Sequence, residues 1–181
     1  MTSVRLTSKV GALLLLILSV PTARVIGQAI DALEIETLSG GHLALGSVLG
    51  TAETLIVVGF TNDSKNHIKP WMDHLRTEIT SDARFRTVQV ADLQGVPGLF
   101  RGFAINGIKD SFAKKDQDWF FVVFKDDNRW KEIVGYKNQD DAYLVLIGNR
   151  NQILWKYNGD FNPSALNELK IGVDKIKRTK Q

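Results

Sequence analysis

The sequence predicts an α/β fold in which a mixed β-sheet is flanked by helices and begins with an N-terminal β-hairpin. Two observations favour it. Apolar positions alternate on both sides of Gly40-Gly41, which is typical of two strands joined by a tight turn. The run Thr54–Phe60 is continuously apolar and rich in β-branched residues, as in a strand that is covered on both faces. We therefore expect this run at the centre of the sheet.

The first 29 residues are predicted to be a secretory signal peptide. Arg5 and Lys9 precede the apolar run Val10–Val20, and small residues follow up to a cleavage site after Ala29. The run is shorter than the roughly 20 residues that span a bilayer. We therefore expect residues 30–181 to form one secreted or periplasmic domain. The less favoured alternative is an uncleaved segment that anchors the domain to a membrane.

Charge and cysteine content exclude two classes of function. The formal net charge is +3, from 23 basic and 20 acidic residues. The predicted signal contains three of the basic residues (Arg5, Lys9 and Arg24) and no acid, so the remaining domain is neutral and nucleic-acid binding is not predicted. The chain has no cysteine, which excludes thiol oxidoreductase and peroxidase chemistry because the thiolate is the nucleophile there.

The central region alternates between helical and strand patterns. After the polar stretch Thr61–Lys69, apolar residues at helical spacing predict a helix with Pro70 in its first turn. The next strand is predicted at Phe85–Leu93. A stripe with a spacing of four residues then predicts a second helix, and it consists of Phe100, Ala104, Ile108 and Phe112.

The last third of the sequence predicts a strand, a short helix, a hairpin and a final helix. The strand is expected at Asp118–Phe124 and the short helical turn at Asn128–Tyr136. Two β runs surround Gly148–Asn151, which favours a hairpin there. Asn162 and Pro163 are typical of a helix start, and the apolar face of that helix consists of Leu166, Leu169, Val173 and Ile176.

This order of elements resembles the thioredoxin-like fold in the version found in peroxiredoxins and exported thiol reductases. The resemblance rests on LSGGHLALGSVLGTAETLIVVGF and on the closing hairpin AYLVLIGNRNQILWKYNG, and it spans about Ala32 to Val173. It implies paired cysteines after the central strand, at positions that Lys65 and Ile68 occupy here. The cis-proline of the family is also missing, since NQDDAYLVLIG contains no proline. Both halves of the redox site are therefore absent.

Three short motifs resemble a narrower group, the thioredoxin-like assembly factor of mitochondrial ATP synthase and its bacterial look-alikes. They are the segment IKPWMDHL, the strand Tyr143–Ile147 and the run Gln152–Trp155. This resemblance implies a non-enzymatic role, without a cofactor, in folding or assembling a partner protein.

The candidate site is the polar stretch after the central strand, because ligands bind at the carboxyl end of strands in open α/β sheets. We predict a binding surface made of Asn62, Asp63, Lys65 and His67, with Trp71 as an exposed aromatic beside it. Asp141 joins this set because Asp140-Asp141 occupy the region of the missing cis-proline. The competing interpretation is a solvated loop whose polar residues only satisfy turn and cap donors.

A metal site is not predicted. His67 and His74 are seven residues apart, which corresponds to roughly 10 Å of rise on one helix and is too far for one ion. Asp63 and Asp73 are the only carboxylates close to them in the sequence.

These observations predict an exported, redox-inactive thioredoxin-like domain that acts as a protein-binding or assembly module. The partner is expected to be a protein, and a membrane contact only through an uncleaved signal. The alternative is a non-thiol enzyme or small-ligand binder in the same cleft, in which His67 acts with Asp63 or Asp141. Asp126-Asp127 are expected to face water in a turn.

Overall fold

The structure, a computed structural model, describes residues 30–50, 52–79 and 84–179. The predicted signal peptide and the side chain of Ile176 lie outside the described part. No helix within the described ranges has the length and apolar character needed to cross a membrane.

Seven strands form one mixed sheet with the order β2-β1-β5-β4-β3-β6-β7. The three inner strands β3, β4 and β5 are parallel, and the other pairings are antiparallel. The bounds are β1 Glu34–Thr37, β2 His42–Ala44, β3 Glu53–Gly59, β4 Phe85–Asp92, β5 Phe120–Val123, β6 Tyr143–Ile147 and β7 Ile153–Asn158. Both predicted hairpins are therefore confirmed, around Gly40-Gly41 and around Gly148–Asn151.

Strand β3 is the central strand that the sequence predicts. It pairs in parallel with β4 and antiparallel with β6, and all of its seven residues are buried. Alternate residues face opposite sides, because Ile56 and Val58 belong to one apolar cluster while Leu55 and Val57 belong to another. Helices on both faces therefore cover this strand.

Five α-helices and one 3-10 helix connect or flank the strands in the described chain. Their bounds are α1 Leu45–Val48, α2 Ser64–Glu78, α3 Gly98–Lys109, the 3-10 helix Lys114–Trp119, α4 Asp127–Val134 and α5 Pro163–Thr179. Apolar residues of α1 and α4 pack on one face of the sheet, and those of α2 and α5 on the other. Helix α3 joins a third, smaller cluster over β5.

The final helix has the cap and the buried apolar face that the sequence predicts. The side-chain oxygen of Asn162 accepts hydrogen bonds from the amides of Ser164 (2.9 Å) and Ala165 (3.2 Å), which caps the helix start. Leu166, Leu169 and Val173 are buried against the sheet.

One expectation about a helix is wrong, and another is met except at one residue. Helix α2 begins at Ser64, six residues before Pro70, so the proline lies inside the helix and not in its first turn. The stretch Thr61–Lys69 is consequently a short turn followed by the first six residues of α2. The predicted helix α3 is present and Ala104 and Ile108 of its stripe pack on the third cluster, but no residue of the helix is fully buried and Phe100 is 57% exposed.

Candidate functional site

The end of β3 at Gly59 lies very close to side chains of helix α2, which follows it. A Cβ atom on Gly59, the last residue of β3, would lie 2.9 Å from Ile68 Cδ1 and 3.0 Å from Ser64 Cβ. Such a contact requires a shift of the neighbours, so glycine permits the first two turns of α2 to pack closely against the strand end. The first turn of α2 is therefore fixed at the carboxyl edge of the sheet.

Ser64 organises this turn with a fully buried side chain. Its hydroxyl oxygen lies within hydrogen-bonding distance of the amides of Phe60 (3.3 Å) and Thr61 (3.2 Å), and it donates to the carbonyl of Gln139 (3.3 Å). The hydroxyl thus satisfies backbone groups that would otherwise be buried without partners. It also joins the turn to the segment before β6.

Asp140 makes the second connection between these two segments. The Thr61 hydroxyl donates to Asp140 Oδ1 over 2.6 Å. The acidic pair before β6 therefore does face the stretch where the resemblance places a redox site. The residue in contact is Asp140, whereas the candidate Asp141 accepts hydrogen bonds from the side chains of Asn138 (3.2 Å) and Asn158 (2.9 Å).

Three of the predicted candidates lie together on the exposed surface of this turn. Asn62, Asp63 and Lys65 are all exposed, and Lys65 Nζ donates to Asn62 Oδ1 over 3.2 Å. Asp63 precedes the first residue of α2 but makes no side-chain cap hydrogen bond. The turn therefore presents two amide or carboxylate groups and one ammonium to solvent on a backbone that Ser64 holds.

His67 lies on α2 and does not pair with either of the carboxylates predicted for it. Its Nδ1 contacts a carboxylate oxygen of Asp160, in the segment after β7, and the imidazole remains about one-third exposed. The alternative function would pair His67 with Asp63 or Asp141, but the helix directs the Nδ1 atom of His67 toward Asp160 at the end of β7.

Trp71 is not an exposed recognition residue. Its side chain is fully buried, its Nε1 donates to the carbonyl of Gly159 over 3.2 Å, and its ring contacts Tyr157 and Phe161 at centroid distances of 5.2 Å. The prediction of an exposed tryptophan is wrong, since this helical position faces the sheet. Trp71 instead joins α2 to the end of β7.

The second histidine of α2 also has a structural partner. His74 Nδ1 lies 2.9 Å from Glu78 Oε1, and its ring stacks on Phe161 at a centroid distance of 4.0 Å. Hydrogen bonds from His74 and Lys170 lower the pKa of the Glu78 carboxyl. Within the described residues, no group of three or more His, Asp or Glu side chains is arranged to hold a metal ion.

A carboxylate pair occupies the same edge of the sheet, at the end of β4. Partial burial, together with the neighbouring Asp127 carboxylate, which accepts a hydrogen bond from the protonated form and repels the charged form, raises the pKa of Asp92 from 3.8 to about 6, although the amide of Gln94 opposes this by donating over 2.8 Å. Lys131 bonds to Asp127 over 2.7 Å and lies 4.8 Å from the centre of the Tyr136 ring. Asp127 was expected to face water, but the structure places it in this network.

Two cavities within the described residues lie away from the candidate site. One of about 400 Å³ is bordered by β1, β2 and Trp119, and one of about 560 Å³ lies between α2 and the 3-10 helix over β4. None of the six candidate residues lines either cavity. Neither cavity therefore belongs to the candidate site.

The contacts that hold this turn and His67 were not predicted from the sequence. The only local signal is that Asp63-Ser64 lies between the apolar strand and the helical pattern, since such residues are common at helix starts. Asp160 is 93 residues from His67 in the chain, and Asp140 is 79 residues from Thr61. No local pattern identifies such pairs.

Comparisons with known proteins identify the fold of this chain but no family to which it belongs. No protein-family model matches the chain, and no curated protein matches it significantly by sequence. Solved structures match it by shape, and we name three of them. Etrx1, the exposed lipoprotein thioredoxin of Streptococcus pneumoniae, has a TM-score of 0.51 at 13% identity over 75% of this chain and 95% of its own.

The other two are DsbF of MTB and BsSco, a member of the Sco family of cytochrome c oxidase assembly proteins. DsbF has a TM-score of 0.52 at 14% identity over 81% of this chain and 96% of its own. BsSco has a TM-score of 0.54 at 16% identity over 80% of this chain and 91% of its own. At such identities the likeness shows the fold alone.

The fold is thus thioredoxin-like, as the sequence predicts, and the chain that adopts it has no cysteine. The narrower resemblance to the ATP synthase assembly factor stays a prediction.

Proposed function

We propose that the chain is an exported thioredoxin-like domain that has no redox activity and acts as a protein-binding or assembly module. The observation that supports this most directly is the replacement of the redox site. The resemblance places the paired cysteines at Lys65 and Ile68, in the first turns of α2, and the residue that precedes them is Ser64, whose buried hydroxyl makes only internal contacts. A group engaged in this way stabilises the turn and is not poised for covalent chemistry.

The exposed side chains around that turn form the proposed contact surface. Asn62, Asp63 and Lys65 project from a backbone that is held at the strand end by Gly59 and Ser64. Polar side chains presented on a rigid scaffold are typical of binding sites. Because these three side chains are exposed, they are accessible to the surface of a protein partner.

Two of the similar structures support the proposal by analogy. BsSco is described as a member of a family of assembly proteins, and Etrx1 as an exposed lipoprotein. The predicted signal at residues 1–29 supports export. A shared fold does not by itself transfer a function, so the proposal depends on the altered site.

A non-thiol enzyme or small-ligand binder remains the second candidate, and the contact between His67 and Asp160 favours it. A carboxylate that holds one imidazole nitrogen orients the ring and sets its tautomer, which leaves the other nitrogen for a ligand or a proton. In this case His67→Gln would abolish ligand binding or turnover and leave a protein complex intact.

The test is recovery of a partner from the native host. The tagged protein is crosslinked mildly, purified and analysed by mass spectrometry beside a variant with Asn62→Ala, Asp63→Ala and Lys65→Ala. The matched control replaces Asn167, Asp174 and Arg178, which are exposed residues of the same charges on α5, by alanine. Trp71 is left intact because its burial makes it part of the core.

We expect a discrete protein that is recovered with the wild type and the control and is reduced at least tenfold in the site variant. Equal recovery with all three proteins would remove the turn from the interaction. Absence of any specific protein would overturn the binding-module proposal and favour the second candidate.

A further inference from the structure

Strand β4 carries two polar side chains over which the described helices leave a gap. Thr87 and Gln89 pair with Leu55 and Val57 of β3 and lie on the same face of the sheet, but they are only half-buried. Inner strands of a parallel sheet are normally apolar on both faces, because helices cover them. Neither side chain forms a hydrogen bond with another described residue. Both can therefore bond to a ligand in the gap.

The gap is the cavity of about 560 Å³ over β4, which we call the β4 cleft. Apolar residues of α2 form one wall, and Phe112 and Trp119, on either side of the 3-10 helix, belong to the other. The volume lies within the roughly 300–1,000 Å³ that is usual for small-molecule sites. The polar lining of the β4 cleft consists of Arg76, Thr87, Gln89, Ser111 and Asp116.

Trp119 offers an aromatic ring to the β4 cleft and is 43% exposed. Arg86 stacks on the ring at 4.8 Å from its centre, and Arg86 lines the cavity beside β1 and β2 but not the β4 cleft. Among the described residues, no other cation or ring stacks on Trp119, and its indole nitrogen has no hydrogen-bond partner. The indole nitrogens of Trp71 and Trp155, in contrast, donate to protein oxygens. Trp119 thus has an open side and an unused donor.

The charges that line the β4 cleft are balanced. They are one cation, Arg76, and one anion, Asp116, and the cavity beside β1 and β2 likewise has one arginine and one aspartate. The 3-10 helix contains two lysines and two aspartates and has no net charge. Asp73, which is also near Arg76, is paired with Lys69. An excess of either charge therefore does not select the ligand.

We propose that the β4 cleft binds a neutral oligosaccharide, of which one pyranose unit stacks on Trp119. The C–H face of a pyranose is apolar and fits an aromatic ring, while its hydroxyls both donate and accept hydrogen bonds. Thr87 and Gln89 can do both as well, and Arg76 donates and Asp116 accepts at the rim. Trp119 also borders the cavity of about 400 Å³, which has room for a further sugar unit.

The main competing ligand is a zwitterion, such as an amino acid or a short peptide, which would also pair with an arginine and an aspartate. Arg76 and Asp116 are both exposed, so water screens the ion pairs that they could form. The less exposed positions are those of the uncharged Thr87 and Gln89. Groups that bond to these two side chains without bringing a charge into the cleft are favoured.

The test reads the indole N–H signals of the chain as the host produces it. Its four tryptophans give four such signals in the NMR spectrum of isotope-labelled protein, and Trp119→Phe identifies the signal of Trp119. The probes are hexasaccharides of α-linked glucose, β-linked glucose, mannose and N-acetylglucosamine. L-Phenylalanine and triglycine are the zwitterionic probes.

We expect at least one hexasaccharide to shift the Trp119 signal saturably and to leave the signals of the buried Trp71 and Trp130 unchanged. The double variant Thr87→Val with Gln89→Leu keeps the approximate volume of both side chains, removes their polar groups and should weaken the affinity at least tenfold. The matched control Phe103→Ala removes an aromatic that is 83% exposed and lines neither cavity. It should bind like the wild type.

Three results would overturn the proposal. They are an unshifted Trp119 signal with every hexasaccharide at millimolar concentration, a shift that the double variant leaves unchanged, and a shift with L-phenylalanine or triglycine alone. The last result would identify a zwitterion as the ligand. The residues of the proposed contact surface do not line the β4 cleft, so none of these results bears on the proposed function.

Discussion

Helices α2 and α3 occupy equivalent positions in the order of elements, but α2 packs into the core and α3 lies largely exposed on it. Each follows a parallel strand and carries apolar residues at helical spacing. Helix α2 buries Trp71, Met72 and Leu75, whereas α3 buries no residue. Apolar spacing alone therefore predicts that a helix exists but not which of its faces is covered, since that depends on the neighbouring elements.

The difference extends to the interactions that hold each helix. Trp71 joins α2 to Gly159 and Phe161 beyond the end of β7, so apolar burial and one buried hydrogen bond act together. At the start of α3 the ties are polar. Arg101 Nε donates to the carbonyl of Val96 over 3.1 Å, and Gln94 connects Asp92 to the amide of Asp127. We expect α2 to dominate the stability of the fold and α3 to tolerate substitution.

The largest expected effect is that of Trp71→Ala. Removing a fully buried tryptophan should lower the free energy of unfolding by about 3–5 kcal/mol, measured by urea denaturation. The matched control is Phe103→Ala in α3, which should change stability by less than about 0.5 kcal/mol because the ring is exposed. Similar losses of unfolding free energy in the two variants would show that α2 does not contribute more to stability than α3.

An intermediate effect is expected for Ser64→Ala at the candidate site. The alanine would leave the buried amides of Phe60 and Thr61 without the hydroxyl, at a cost of about 1–3 kcal/mol. The exposed Ser164→Ala in the first turn of α5 serves as the control. If the two variants have equal urea midpoints, the hydroxyl of Ser64 does not organise the turn.

These residues also show how far the sequence predicts the molecule. Both hairpins, the central strand and the Asn162 cap are predicted because each depends on a local pattern, such as a turn glycine, a β-branched run or a cap next to a proline. The partners of the site are contributed by distant segments. Trp71 was predicted to be exposed because its packing against Gly159 and Phe161 cannot be inferred from the local sequence. The contact between His67 and Asp160 cannot be inferred from it either.

The smallest effect is expected for the carboxylate pair beside α3, and it depends on pH. The pKa of Asp92 is raised to about 6 because burial and Asp127 disfavour its charged form. The folded state therefore binds the proton more tightly than the unfolded state, whose pKa is near 3.8. The contribution of Asp92 to stability is present below pH about 4 and is lost as pH rises toward about 6 to 7.

The variant Asp92→Asn keeps an oxygen for the amide of Gln94 and cannot ionise. Relative to the wild type it should gain stability as pH rises through this window, while the exposed carboxylates with lowered pKa values, such as Glu78, change both proteins equally. Urea denaturation at a series of pH values measures this difference, and an NMR titration of the Asp92 carboxyl measures the pKa directly. A constant difference between the two proteins, or a titration near 4, would mean that the pair is solvated. The tie through Gln94 would then contribute little, and α3 would be held by the hydrogen bond of Arg101 to Val96 and by the apolar contacts of Ala104, Ile105 and Ile108 over β5.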